Sequence, residues 1–284
     1  MSSNDASPAG LLAADVGNTR VKLGWFPSAA AGCVAEALAS PLPISVPRLP
    51  EPAAIFSQAP ADLADSLLAE WLDGLGFVER PRVALASVSG PAEQLLSDRL
   101  QQQRFAIERV ASETAPIALG VDEPSRIGVD RVMAAVAANR LRRADTPAIV
   151  VDVGTAITVD LISATGTLEG GAILPGPTTA GRALADTADR LPDVLFGELD
   201  YAPDAVGRST IPAIEAGLFW GAVGAIRELI ARQRDRLTAA PQVFLTGGAA
   251  PSVARLIGGP DLSVRYVPHL TLSGIAVAAG HDRR

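Results

Sequence analysis

Asp15-Val16-Gly17-Asn18-Thr19-Arg20-Val21-Lys22 is the stretch on which the reading of this chain turns. Ahead of it, Leu11 to Asp15 is an apolar run of small and branched residues, the pattern of a buried strand. Behind it, Arg20 to Phe26 alternates loosely, as a second strand would. Gly17 and Asn18 are turn formers. The same pattern returns at Asp152-Val153-Gly154-Thr155-Ala156-Ile157-Thr158-Val159-Asp160. An apolar run from Ala148 to Val153 precedes that turn, and a strand is predicted from Ile157 to Ile162. One Asp-x-Gly by itself is ordinary turn chemistry. Two in matched positions, each with a threonine in its turn, predict one strand–turn–strand unit used once in each half of the chain.

Working outward, helical spacing over Ala61 to Leu75 puts Leu63, Leu67, Leu68, Trp71 and Leu72 on one side. Strands are predicted at Arg82 to Val88 and Ala106 to Val110, and a helix at Pro91 to Gln103. A second unit is expected from residue 120, giving lobes 1–119 and 120–284. It holds helices at Asp130 to Arg143, Thr179 to Ala188 and Ile211 to Leu237, strands at Gln242 to Leu245 and Val264 to Val267, and a last helix from Leu270. Gly170-Gly171 and Pro175-Gly176-Pro177 are expected to break up the segment they occupy. Residues 28–60, rich in Ala, Pro and Ser, read as long connections.

Composition narrows the function classes. The chain of 284 residues is 48% hydrophobic and 19% charged, which is globular. Its net charge of -7 argues against non-specific nucleic-acid binding. A single cysteine, Cys33, excludes a disulfide within the chain and reads as a buried thiol. With only His269 and His281 besides, zinc chemistry is not expected. The polar start and the breaks at Asp15 and Arg20 match neither a signal peptide nor a membrane span, so a cytoplasmic location without membrane partners is expected. Of the 24 Lys and Arg residues, one is lysine, and it is Lys22. Lysine is a compact point charge where arginine is a wide fork. At alternate positions Arg20 and Lys22 share a face and can reach back to an anion held by the turn.

Such a hairpin places a carboxylate at a strand end and backbone N–H groups around a glycine. The N–H groups can cradle phosphate oxygens while the carboxylate faces Mg²⁺ or its water shell. Here a resemblance becomes specific. Residues 15–22 resemble the first phosphate motif of type III pantothenate kinases. Gly128-Val129-Asp130-Arg131 is similar to that family's Gly-x-Asp-Arg, and residues 152–160 to its second phosphate motif. Gly170-Gly171-Ala172-Ile173-Leu174-Pro175-Gly176 resembles its interface motif. Gly207 to Thr210, Thr246-Gly247-Gly248 and Pro268-His269-Leu270-Thr271-Leu272-Ser273-Gly274 follow in the family's order.

The resemblance implies an α/β fold of two ribonuclease H-like lobes, the duplicated actin/hexokinase-like fold, with a central cleft. It implies ATP-dependent phosphorylation of pantothenate, the first step towards coenzyme A. Asp130 would be the general base. Gly128, Val129, Arg131 and Thr210 would line the pantothenate site. Asp15, Val16, Gly17, Asn18, Thr19, Arg20, Val21, Lys22 and Thr155 would hold ATP with Mg²⁺, and Gly247 and Gly248 would pass near the adenosine. Asp152 would bind a monovalent cation, K⁺ or NH₄⁺, and the protein would be a homodimer. One position departs from the pattern: the family often has a tyrosine seven residues before Gly128, and here that place is Val121. Two other readings stand beside this one: a kinase of the same fold for another small alcohol, and a non-catalytic ATP-binding regulator.

Overall fold

Two strands set the architecture, Leu11–Val16 (β1) and Ala148–Val153 (β7), and both are buried on both faces except at the aspartate one residue from the end. Strands buried this way sit at the middle of a sheet with layers on both sides. The computed structural model describes residues 10–28, 49–63, 65–194, 202–258 and 262–281. Cys33 and most of 28–60 lie outside them.

In the first unit β1 pairs antiparallel with Val21–Phe26 (β2), and β2 with Ala54–Gln58 (β3). On its other side β1 runs parallel to Arg82–Ser87 (β4), and β4 to Ile107–Arg109 (β5). The strand order is β3-β2-β1-β4-β5. Leu12, Ala14 and Val16 face a core shared with Asp65–Gly74 (α1) and Gly90–Gln102 (α2), including Leu68, Leu72, Leu96 and Leu100. Alternation then puts Leu11, Ala13 and Asp15 on the other face. That face is covered by Leu270–Ala278 (α7), which packs on β1, β2 and β4 and against Val129–Leu141 (α3).

The second unit repeats the order. β7 pairs antiparallel with Ala156–Ile162 (β8), and β8 with Thr167–Pro175 (β9). β7 runs parallel to Gln242–Thr246 (β10), and β10 to Val264–Tyr266 (β11). One short strand, Ala118–Leu119 (β6), is added beside β9, giving β11-β10-β7-β8-β9-β6. Without β6 the sequence of strands is that of the first sheet, so the echo of Asp-Val-Gly is a duplicated sheet. Ile149, Val151, Val153, Ile157 and Val159 face a core with Thr210–Arg234 (α5) and Ala250–Ile257 (α6), through Phe219, Ile226, Val253 and Ile257. Pro177–Thr187 (α4) packs on α5 and β9.

Three expectations need correction. The unit boundary is not a single cut at residue 120. The first compact unit takes in residues 122–141 and 269–284, and the second residues 118–121 and 142–268. The chain returns twice because α3 and α7 cover the exposed face of the first sheet. Gly170-Gly171 does not interrupt the segment it occupies: β9 runs through both, with Gly170 at φ +99 and Gly171 opposite Asp160. Leu67, expected on the buried face of α1, is 45% exposed, while Leu68 and Leu72 carry that face. Among the described residues, no helix is long and apolar enough to cross a membrane.

The contact between α3 and α7 depends on Gly274, where an added Cβ would collide with the backbone carbonyl of Met133. In a helix, Gly→Ala ordinarily stabilises by about 0.5–1 kcal/mol. Gly224→Ala, on α5 with open space around it, should show that gain. Gly274→Ala should instead lose about 1–3 kcal/mol, because two helix backbones must separate. Urea unfolding of the two variants beside the unmodified protein measures both signs.

Candidate active site

Within the first unit, the candidate side chains collect at the carboxyl end of β1. Asp15 is the register partner of Lys22 across the β1–β2 pair, so the carboxylate and the ammonium share a face. Residues 17–20 form the turn, closed by Gly17 N–H donating to the Arg20 carbonyl at 2.9 Å. The Arg20 guanidinium lies 3.4 Å from Ser57 Oγ, and Ser57 is the β3 partner of Lys22. Arg20 and Lys22 therefore lie to the same side, as their spacing predicts.

Two helices begin at this end. After β4, Val88 N–H donates to the Val16 carbonyl at 3.0 Å. A Cβ on Gly128 would stand 3.8 Å from the Val88 side chain and 2.5 Å from Asp130 Oδ1. Gly128 thus brings the start of α3 to the ends of β1 and β4 and leaves room for the Asp130 carboxylate to fold back. Asp130 Oδ1 also accepts the Arg131 N–H at 2.8 Å. Val129 is buried, while Asp130 and Arg131 are partly open.

The direction of α7 follows from two contacts and one electrostatic effect, taken in order. Its start at His269 feels the charge of Lys22, Leu272 lies against Gly24, and the His281 ring stands 5.9 Å from that of Phe26. The helix therefore runs along β2 with its N-terminus at the turn. His269 holds a left-handed conformation there, φ 56.

In the second unit the corresponding place is built from glycines. Asp152 pairs with Thr158 on β8 and Thr246 on β10, so these three share the face away from α5 and α6. Residues 154–156 form the turn, with Gly154 N–H donating to the Ala156 carbonyl at 3.0 Å. Gly247, at φ +102, leaves a cradle: a Cβ there would lie 2.5 Å from Asp152 Oδ1 and would overlap the Val153 carbonyl oxygen. Two oxygens thus converge beside a residue without a side chain. Gly248 follows, with open space around it, and Ala249 N–H closes the turn on the Val153 carbonyl at 3.1 Å. Asp160, buried to 2% exposure, lies over Gly171. Val121 packs against Gly170. Thr210 opens α5, and an open surface depression is lined by Val206, Gly207, Ala213 and Trp220 among others.

The positions read from the sequence fall into two groups. Residues 15–22 and 128–131 meet in the first unit, and Asp152, Thr155, Gly247 and Gly248 in the second, where Thr210 also lies. Gly247 stands against the Asp152 carboxylate, a neighbour that its expected adenosine role did not anticipate. Sequence reasoning placed neither His269 nor Gly176 at the phosphate turns. His269 carried a signal only through its place in the closing motif. Gly176 was read as interface, yet its N–H donates to the Thr155 carbonyl at 2.9 Å.

Partial burial holds the His269 imidazole below its ordinary value, and the Lys22 ammonium adds to the effect. In the unfolded chain the ring takes its proton near pH 6.5, and in the folded protein only at lower pH. The unfolded state then binds more protons in the window below 6.5, so stability falls as pH falls through it and is complete above it. His269→Gln should flatten the pH dependence of Tm below pH 6.5 and leave the alkaline side unchanged, as read by calorimetry from pH 5 to 8.

The sequence profile of type III pantothenate kinase matches residues 11–232. A type III pantothenate kinase of Acidiphilium cryptum (strain JF-5) is 33% identical over 219 residues, 74% of this chain and 79% of that protein. One of Anaeromyxobacter dehalogenans (strain 2CP-C) is 42% identical over 163 residues, 57% of this chain, and the match spans 60% of that relative's length. A solved structure from Sinorhizobium meliloti, titled for a 2-dehydro-3-deoxygalactonokinase, superimposes with a TM-score of 0.51 at 13% identity, over 95% of this chain and 98% of that one. At that identity the likeness speaks for the fold alone, the α/β actin/hexokinase-like fold that the repeated strand order describes. On the match of its profile and the order of its motifs, the chain belongs to the type III pantothenate kinase family.

Proposed function

We propose that the protein transfers the γ-phosphoryl group of ATP to the primary hydroxyl of pantothenate, giving 4'-phosphopantothenate, the first step of coenzyme A synthesis. The observation that carries this reading is the pair of central strands, β1 and β7, each ending in Asp-x-Gly, with Asp130 brought to the same strand end as Asp15. Ligands of open α/β sheets sit at the carboxyl ends of the strands.

Phosphoryl transfer asks for alignment and charge stabilisation more than covalent chemistry. In this reading residues 15–22 and Thr155 hold the ATP phosphates, and Gly247 and Gly248 give the backbone room beside the nucleotide. Gly128, Val129, Arg131 and Thr210 hold pantothenate. Asp130 accepts the hydroxyl proton as the oxygen attacks. Mg²⁺ arriving with ATP would neutralise charge on the phosphate oxygens, and Asp15 faces the place for it. A monovalent cation, K⁺ or NH₄⁺, fits the cradle at Gly247, where the Asp152 carboxylate and the Val153 carbonyl converge. The protein works as a homodimer in the cytoplasm, with Ile173, 62% exposed on β9, as part of the interface.

Val121 favours one further reading, a different small hydroxylated acceptor, because a valine on Gly170 offers neither the hydroxyl nor the ring of the family's tyrosine. ADP release over a panel of alcohols, pantothenate among them, separates the readings. Turnover of pantothenate alone supports the first, turnover of another alcohol the second, and silence with all of them overturns both.

Asp130→Asn keeps an oxygen for the Arg131 N–H, so the start of α3 should survive while the base is lost. Turnover is expected to fall about 10²- to 10⁴-fold with ATP binding little changed. Near-full turnover would remove Asp130 from the mechanism. Activity should also be high in K⁺ or NH₄⁺ and low in Na⁺. Equal ATP affinity by calorimetry in the three salts, with equal rates, would remove the cation from Asp152.

A further inference from the structure

The turn that carries Thr155 is gripped from behind by the start of α4. The Thr155 carbonyl accepts two hydrogen bonds, from Gly176 N–H at 2.9 Å and from Thr179 Oγ at 2.6 Å. A Cβ on Gly176 would lie 2.7 Å from that same carbonyl oxygen and would overlap the carbonyl oxygen of Gly154. Gly176 has an ordinary extended φ of -68, so glycine is needed there for the close approach and not for its backbone angle.

A trans peptide holds its C=O and its N–H on opposite sides. With the carbonyls of Gly154 and Thr155 turned towards Gly176, the N–H groups of Thr155 and Ala156 are aimed the other way. Two successive amides pointing together make a concavity for an anion. The β8–β9 register agrees: Ala156 stands opposite Pro175, which has no N–H to give, and the next bond of the ladder is the one from Gly176 to Thr155. The Thr179 hydroxyl, outside the turn itself, therefore adds to the hold on the peptide that sets this orientation.

We infer that Thr179 is a positioning residue for ATP, fixing the Thr155–Ala156 amides towards the nucleotide phosphates through the Thr155 carbonyl. The inference rests on the reading of residues 154–156 as a phosphate turn. It makes the segment read as an interface motif serve the nucleotide site as well.

The test uses three single variants of the full chain: Thr179→Val, which keeps the shape and loses the hydroxyl; Thr179→Ser, which keeps the hydroxyl; and Thr155→Ala. ATP affinity is read by calorimetry without the acceptor alcohol, and KM for ATP and for the acceptor are read in turnover. Thr179→Val should weaken ATP binding and raise the ATP KM about three- to ten-fold, the scale of one lost hydrogen bond. The acceptor KM should stay within two-fold, and Thr179→Ser should restore the ATP values. If Thr155→Ala weakens ATP binding and Thr179→Val does not, the positioning role is overturned while the phosphate turn stands. If neither variant moves ATP binding, Thr179 has no part in holding ATP and the proposal is overturned. An equal rise in both KM values, or no recovery with serine, would mark Thr179 as a general structural contact and overturn the proposal.

Discussion

A strand buried on both faces has no place for an ionised side chain except at its end, where the layers above and below stop. β1 and β7 both obey this constraint, with Asp15 and Asp152 one residue short of the strand's last position. The carboxylate is then fixed by the sheet's own hydrogen bonds and partly shielded from water, which strengthens its field on whatever anion or cation lies beyond. In each unit the candidate residues are arranged around its own aspartate. Glycines thin the backbone near Asp15 and Asp152, and helices α3 and α7 start beside the first.

The duplicated sheets have been finished differently. In the first unit the turn spans residues 17–20, and basic side chains, Arg20 and Lys22, follow it. In the second the turn is shorter, residues 154–156, and no basic residue follows. After the parallel neighbour strand, Val88 N–H meets the Val16 carbonyl in one unit, and Ala249 N–H meets the Val153 carbonyl in the other. The residue ahead of Gly248 is a glycine at φ +102, which makes the space that Asp152 uses. One scaffold thus supplies positive charge from side chains in one place and backbone dipoles in the other.

Both hairpins were legible in the sequence because an apolar run closed by Asp-x-Gly is a local signal. The helices at 129–141 and 210–234 were legible for the same reason. β9 was not, since Gly170-Gly171 reads locally as a break. Only the neighbouring strand shows why a residue without a side chain is wanted there, against the Asp160 carboxylate. β3 was hidden in an Ala- and Pro-rich stretch whose pairing with β2 is long-range. The unit boundary was misplaced because periodicity locates α3 and α7 but does not say which sheet they cover. The grip of Gly176 and Thr179 on Thr155 joins residues more than twenty positions apart, and no local pattern announces it.

The covering of the first sheet by α7 has a consequence for how the protein is made. Strands β1, β2 and β4 leave the ribosome early, but Gly24 cannot rest on Leu272, nor Arg82 donate to the Ala279 carbonyl, until residues 270–279 have been synthesised. Nearly all of the second unit, residues 142–268, is contiguous and complete before then. Translation therefore finishes the later unit first, while one face of the earlier sheet stays uncovered on the nascent chain. That apolar face is open to chaperones, and to neighbouring nascent chains, for most of the time the protein takes to emerge.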